Sequence, residues 1–159
     1  MSRSAEISAG LLVYRRIPSL EVLLAHPGGP FWAKKDAGVW TIPKGLVESS
    51  DLLACARREF AEETGLKVTG PFVPLSPVRQ RSGKTVHAFA AQADLDLTHS
   101  RSNLFEMEWP PRSGKIKRFP EIDRVAYFDI ATAMGKILGY QQPFIRELVE
   151  KLRTDDGTK

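Results

Sequence analysis

Apolar and polar positions alternate loosely over residues 7 to 16, and again over 20 to 26, LEVLLAH, with Ile17-Pro18-Ser19 between them. That pattern predicts two strands joined by a turn. Pro27-Gly28-Gly29-Pro30 ends regular structure, and a polar loop carrying Phe31, Trp32, Lys34 and Lys35 follows. Residues 39 to 42, VWTI, predict a short strand that stops at Pro43, since a residue before proline is biased toward extended geometry. From Ser50 or Asp51, both good N-caps, the period changes to that of a helix. Leu53, Ala56 and Phe60 mark its buried face and Gly65 its stop.

Beyond the helix, 67 to 79 and 85 to 93 predict a strand pair turning at Ser82-Gly83. Pro71, Pro74 and Pro77 place the first strand at an edge or break it. Residues 104 to 109 predict another strand, 110 to 120 a proline-rich basic loop, and 124 to 129 a last strand. Helices over about 130 to 138 and 141 to 153 close the chain, ahead of a frayed tail from 154 to 159. Strands with one helix among them and two at the end imply an α/β chain of the α+β type, a mixed sheet covered by helices. The 159 residues suit a single domain, with no linker or repeat.

Charge and cysteine content narrow the picture modestly. Twenty-three Lys and Arg against 19 Asp and Glu give +4, which suits a polyanionic ligand. The single cysteine, Cys55, excludes an internal disulfide and fits a reducing compartment. It lies inside the predicted helix and is expected to pack. The N-terminus lacks the apolar run of a signal peptide, and no apolar stretch nears the ~20 residues needed to span a bilayer. The expectation is a cytoplasmic protein, a monomer or homodimer, with no membrane partner.

The chemistry concentrates in Arg58-Glu59-Phe60-Ala61-Glu62-Glu63-Thr64-Gly65-Leu66. On a helix, positions three and four apart share a face, so Glu59, Glu62 and Glu63 project together. Like charges on one patch repel, and a hard cation such as magnesium takes such a set of oxygens. E-x-x-E-E on an ordinary helix is a solvated face; here the glycine, arginine and apolar positions around it argue otherwise.

This segment resembles the box of the Nudix hydrolases, G-x5-E-x7-R-E-U-x-E-E-x-G-U, where U is aliphatic or aromatic. Gly45 opens it and residues 58 to 66 match every fixed position of its second half. The order of strands and helices is also similar to the Nudix sandwich, so the resemblance covers most of the chain. Two departures stand in the first half. Gly45 to Arg58 is one residue shorter than the pattern, and Ser49, Ser50 and Asp51 stand where its first glutamate belongs. Either Asp51 takes over that residue's bracing of the loop and arginine, or the bracing is lost.

The resemblance implies hydrolysis of a pyrophosphate bond in a nucleoside diphosphate linked to another group, with Mg2+ or Mn2+. It implies Glu59 and Glu63 as the firmest metal ligands, Glu62 as a third ligand and catalytic group, and the Gly45 carbonyl as a further ligand. Arg58 would pair with one of these carboxylates. Phe119-Pro120-Glu121-Ile122-Asp123 lies where relatives carry an outside glutamate, which makes Glu121 a candidate general base or extra ligand. Glu106 and Glu108 are weaker candidates. Trp40-Thr41-Ile42-Pro43-Lys44-Gly45 is similar to a segment of dinucleoside polyphosphate and diphosphoinositol phosphate hydrolases, with Lys44 placed to hold a phosphate. Arg79, Arg81 and Lys84 are further candidates for phosphate, and Phe31, Trp32 and Trp109 for base stacking. His87 is expected to pack or face solvent. A dinucleoside polyphosphate or a nucleoside triphosphate is the leading substrate expectation. A Nudix-fold binding or regulatory module and removal of pyrophosphate from RNA 5′ ends are the alternatives.

Overall fold

The computed structural model describes residues 6–157. Strands β1 (Ile7–Arg15) and β2 (Glu21–Pro27) form an antiparallel hairpin at the centre of a mixed sheet. The short strand β3 (Lys44–Leu46) pairs antiparallel with the start of β1. Helix α1 (Leu52–Thr64) follows, then the two-residue strands β4 (Val73–Pro74) and β5 (Val78–Arg79) and the long strand β6 (Thr85–Gln92). β6 runs parallel to β1 over its whole length, from Ile7↔Thr85 to Tyr14↔Gln92, while β4 and β5 edge it antiparallel. β7 (Leu104–Glu108) and β8 (Ile116–Pro120) form a separate hairpin. β9 (Ile122–Asp129) closes the far side of the sheet against β2, and α2 (Ile130–Lys136) and α3 (Gln142–Gly157) end the chain.

Strand alternation divides the core between the two faces of the sheet. Ala9, Leu11, Val13 and Leu23 meet Cys55, Ala56 and Phe60 of α1 on one face. Leu12, Val22 and Leu24 meet Trp40, Ile42, Phe144, Ile145 and Leu148 on the other. Cys55 is buried and its thiol donates a hydrogen bond to the Leu46 carbonyl at 3.4 Å, a packed residue rather than an exposed nucleophile. Among the described residues, no helix is long and apolar enough to cross a membrane.

Four local expectations change. VWTI is not a strand: Thr41 bridges Ala25 of β2 and Trp40 bridges Ile137, and regular pairing begins only after Pro43, on β1. The segment changes partners across a residue that has no N–H to offer the ladder. Residues 67 to 79 yield only β4 and β5, because prolines interrupt the run. The basic loop expected over 110 to 120 is half strand. Its charges hid an alternation in which Lys117 faces Met107 and Arg118 faces Glu106. Finally, α3 continues to Gly157 rather than stopping at 153. Residues 158 and 159 of the expected frayed tail lie outside the described residues.

Candidate active site

The site is built where the start of β1, β3 and the middle of α1 meet. Gly10 of β1 stands opposite Lys44, and a methyl group at Gly10 would lie 2.4 Å from the Pro43 carbonyl oxygen. The absence of a side chain there lets the Pro43-Lys44 backbone lie down on the strand. Gly45 does the same for the helix. A Cβ on Gly45 would fall 2.0 Å from Glu59 Oε1, so the Glu59 carboxylate rests directly against the Gly45 backbone.

One turn further along α1, Glu63 is only 8% exposed. It accepts a hydrogen bond from the Lys44 N–H at 3.3 Å. Its carboxyl is pushed up to about 8, first by burial, then by the charges of Glu59 and Glu121, with Lys44 opposing. Glu121 is the single residue between β8 and β9, a strand-to-strand joint rather than part of a long loop. Its carboxyl is raised by burial and by Glu59 and Glu62. Carboxylates from two distant parts of the sequence thus repel one another, and two of them, Glu59 and Glu63, meet the Lys44-Gly45 backbone.

Arg58 lies beside this group, with Nη2 3.1 Å from Glu59 Oε2 and Nε 3.6 Å from Glu62 Oε2. Asp51 is not available to brace it. Its side chain caps α1 by accepting from the Ala54 N–H at 3.0 Å. In the shortened turn, the acid nearest the missing glutamate is used to start the helix. With Arg58 drawn across Glu59 and Glu62, no three acidic, histidine or cysteine side chains among the described residues close around one metal position. In kind, however, the donors suit a hard divalent cation: all are oxygens, and the carboxyl of Glu63 stays raised by burial and by Glu59 and Glu121 although Lys44 opposes them.

Lys44 is half-buried, and its ammonium is pushed down by burial, with Glu63 opposing and Lys84 adding. Lys84 is therefore close to Lys44, although its own ion pair is with Glu6 at 3.0 Å. Arg79 ends β5, Arg81 lies in the turn that follows, and both are exposed. Neither pairs with the carboxylate group among the described residues. Glu106 pairs with Arg118 and Glu108 accepts from the Gly114 N–H, so both serve the β7–β8 hairpin. His87 is half-buried on β6.

Two supporting residues have little or no local signal in the sequence. Gln141 is fully buried under the Trp40–Ile42 segment. Its Oε1 accepts from the Ile42 N–H at 3.0 Å, and its Nε2 donates to Thr41 Oγ1 at 2.9 Å. It thereby holds the segment that delivers Lys44. Gln141→Leu should leave the Ile42 N–H buried and unpaired and cost roughly 1–3 kcal/mol. Urea unfolding measures this, and a change within ~0.5 kcal/mol would show the glutamine to be dispensable. His26, also fully buried, donates from Nε2 to the Lys35 carbonyl at 2.6 Å, and its Nδ1 lies 2.8 Å from Asp123 Oδ1. It ties the loop after β2 to the strand that begins just after Glu121. Only its position at the end of an apolar run hinted that it was buried.

Solved structures with the same fold include the NUDIX domain of Shewanella oneidensis NrtR complexed with ADP ribose. It is 16% identical, with 95% of this chain and 90% of that one covered, at a TM-score of 0.68. A Caenorhabditis elegans Ap4A hydrolase binary complex is 21% identical over 91% of this chain and 97% of that one, at 0.63. The MutT protein from Methanosarcina mazei Go1 is 17% identical over 96% and 99%, also at 0.63. At these identities the likeness is one of fold. A search of curated proteins returns no match. The NUDIX domain model matches residues 6–152, nearly the whole chain, and with the R-E-F-A-E-E-T-G-L segment placed against Gly45 of β3, the protein belongs to the NUDIX family of hydrolases.

Proposed function

We propose that this protein is a divalent-metal-dependent pyrophosphohydrolase. Its substrate would be a nucleoside diphosphate linked to another group, a dinucleoside polyphosphate or a nucleoside triphosphate first. The observation that carries this reading is that Glu63 and Glu59 meet the Lys44-Gly45 backbone within reach of the Glu121 charge, with the Glu63 carboxyl pushed up to about 8. Glu59 and Glu63, with Glu62 and the Gly45 carbonyl, would hold Mg2+ or Mn2+. When bound, the cation neutralises the phosphate oxygens that otherwise repel a nucleophile.

The remaining work falls to the chain itself. A P–O bond of the anhydride breaks as water oxygen bonds to phosphorus, and the water proton passes to a carboxylate. Glu121 suits that task, because burial and the charges of Glu59 and Glu62 raise its affinity for a proton. Glu62, nearly half exposed at the edge of the group, is the second candidate. Arg58 fixes the rotamers of Glu59 and Glu62. Lys44 faces the same space and would hold a phosphate beyond the cleaved bond. A panel of dinucleoside polyphosphates, nucleoside triphosphates, sugar nucleotides and 5′-triphosphorylated RNA, assayed with Mg2+, Mn2+ and EDTA, tests the proposal. Metal-dependent release of nucleotide supports it. Tight nucleotide binding without turnover would instead favour the binding-module reading, for which the shortened turn and the engagement of Asp51 as a cap are the specific grounds.

The raised Glu63 carboxyl sets a pH dependence. Its affinity for a proton is higher in the folded chain than in the unfolded one, where the ordinary value is 4.5. Its contribution to stability is complete below about 4.5, falls as pH rises, and is lost through about 8. A cation that replaces the proton should reverse this loss. The gain in melting temperature from Mg2+ should therefore grow between pH 6 and pH 9, and Glu63→Gln should abolish that growth. A Mg2+ effect of equal size at all pH values would rule the assignment out.

A further inference from the structure

The β7–β8 hairpin rises directly from the carboxylate group. Glu121 follows its last residue, the Glu121 carbonyl accepts from the Gly28 N–H at 2.9 Å, and the Asn103 N–H, at its base, bonds to the Glu62 carbonyl at 3.1 Å. Its two faces differ in chemistry. On one, Glu106 pairs with Arg118 at 3.2 Å and the charges cancel. The other carries Phe105 opposite Phe119, Met107 opposite Lys117, and Trp109, whose N–H bonds to the Lys115 carbonyl. This second face is turned to the loop after β2. Phe105 lies against Gly29, and Trp109 meets Phe31 edge-to-face, with ring centroids 5.4 Å apart. Phe31 nevertheless remains 59% exposed. Lys115 and Lys117 are exposed and form no ion pair among the described residues.

Aromatic faces interleaved with unpaired lysines match a ligand that is itself base and phosphate in alternation. Trp109 lies four residues beyond Phe105, just past the end of β7, or about 14 Å of extended chain. A base bound at that end of the hairpin, away from Glu121 at its base, would reach the cleaved bond through a run of phosphates. We infer that the hairpin and the Phe31 loop form an arm that binds the distal nucleoside and bridging phosphates of a dinucleoside polyphosphate, with the base stacking on the exposed face of Phe31, which Trp109 holds edge-to-face, and Lys115 and Lys117 meeting the phosphates. The inference rests on the pyrophosphohydrolase reading. It adds a reason, in this chain's own residues, for preferring two nucleosides over one.

The test compares wild type with Phe31→Ala/Trp109→Ala and, because aromatic truncation can disturb the hairpin, with the surface pair Lys115→Ala/Lys117→Ala. Diadenosine tetraphosphate and ATP are the probes. Each double variant should lose selectivity for diadenosine tetraphosphate over ATP by about tenfold, carried by KM, the low end of what base stacking supplies. Equal losses on both probes, or falls in kcat alone, would mean that the hairpin only positions Glu121, and would overturn the arm. If wild type cleaves neither probe, the catalytic reading has failed. Equilibrium dialysis of diadenosine tetraphosphate then decides the arm: about tenfold weaker binding by both variants upholds it, and unchanged binding overturns it.

Discussion

Glu63→Gln should lower metal-dependent hydrolysis by roughly 10^3-fold, because charge stabilisation by a bound cation supplies several kcal/mol and each ~1.4 kcal/mol is tenfold in rate. The substitution keeps the shape of the side chain and its acceptor toward the Lys44 N–H, so the fold has no reason to fail. It removes a carboxyl that the metal-free protein is already reluctant to ionise, and the metal-free variant should be at least as stable as wild type at pH 8. Loss of activity together with retained or increased stability is the signature of a residue kept for chemistry. Thermal melts in EDTA beside steady-state rates in Mg2+ make the comparison. A variant that unfolds would mark Glu63 as structural, and one that stays active would remove it from the metal site.

Gly45→Ala should have the second-largest effect, by a different route. The added methyl would overlap the end of the Glu59 side chain, with Oε1 at 2.0 Å and Cδ at 2.1 Å. That end is flexible, so Glu59 swings away and the backbone stays. Misplacing a reacting group by about 1 Å can cost 10^2-fold, and a loss of that order is expected with little change in the unfolding midpoint. Gly10→Ala is the informative contrast. There the methyl would meet the Pro43 carbonyl, which cannot rotate away, so β1 and the Pro43-Lys44 segment must separate. Stability should fall by about 1–3 kcal/mol, and activity with it. If Gly45→Ala unfolded the protein as readily as Gly10→Ala, the close approach at Gly45 would be a packing requirement rather than a feature of the site.

What could be read from the sequence follows contact range. Helix α1, with its cap at Asp51 and its stop at Gly65, is a local pattern of period and capping. The sandwich followed from strand and helix order and from the Nudix resemblance. The hairpin strand β8 was obscured because a basic, proline-flanked stretch looks like a loop until Glu106 and Met107 are known to lie opposite it. β3 was missed because three residues carry no periodicity, and only its partner β1 defines it. Glu121 could be suspected from its position before the last strand. Its approach to Glu59 and Glu63 depends on the sheet bringing β9 beside β2. Gln141 contacts Ile42 from 99 residues away, and a buried glutamine before a helix has nothing local to distinguish it from a surface one.

The departures from the box pattern acquire a physical meaning in the fold. The shortened turn uses its acid as a helix cap, and Arg58 turns instead to the two carboxylates at positions 59 and 62. A cation must compete with that guanidinium for Glu59 and Glu62, whereas Glu63 forms no ion pair among the described residues and feels only the opposing charge of Lys44. Glu63 is thus the residue on which metal binding should depend most.

Titration of Mn2+ followed by electron paramagnetic resonance at pH 8, on wild type and Glu63→Gln side by side, reads this directly. Saturable binding of at least one Mn2+ per wild-type chain, weakened about 100-fold or more in the variant, is the expected result, in line with three decades lost in rate. Identical Mn2+ binding by the two proteins, or none by wild type at millimolar metal, would contradict the assignment of this carboxylate group as the metal centre of a pyrophosphohydrolase.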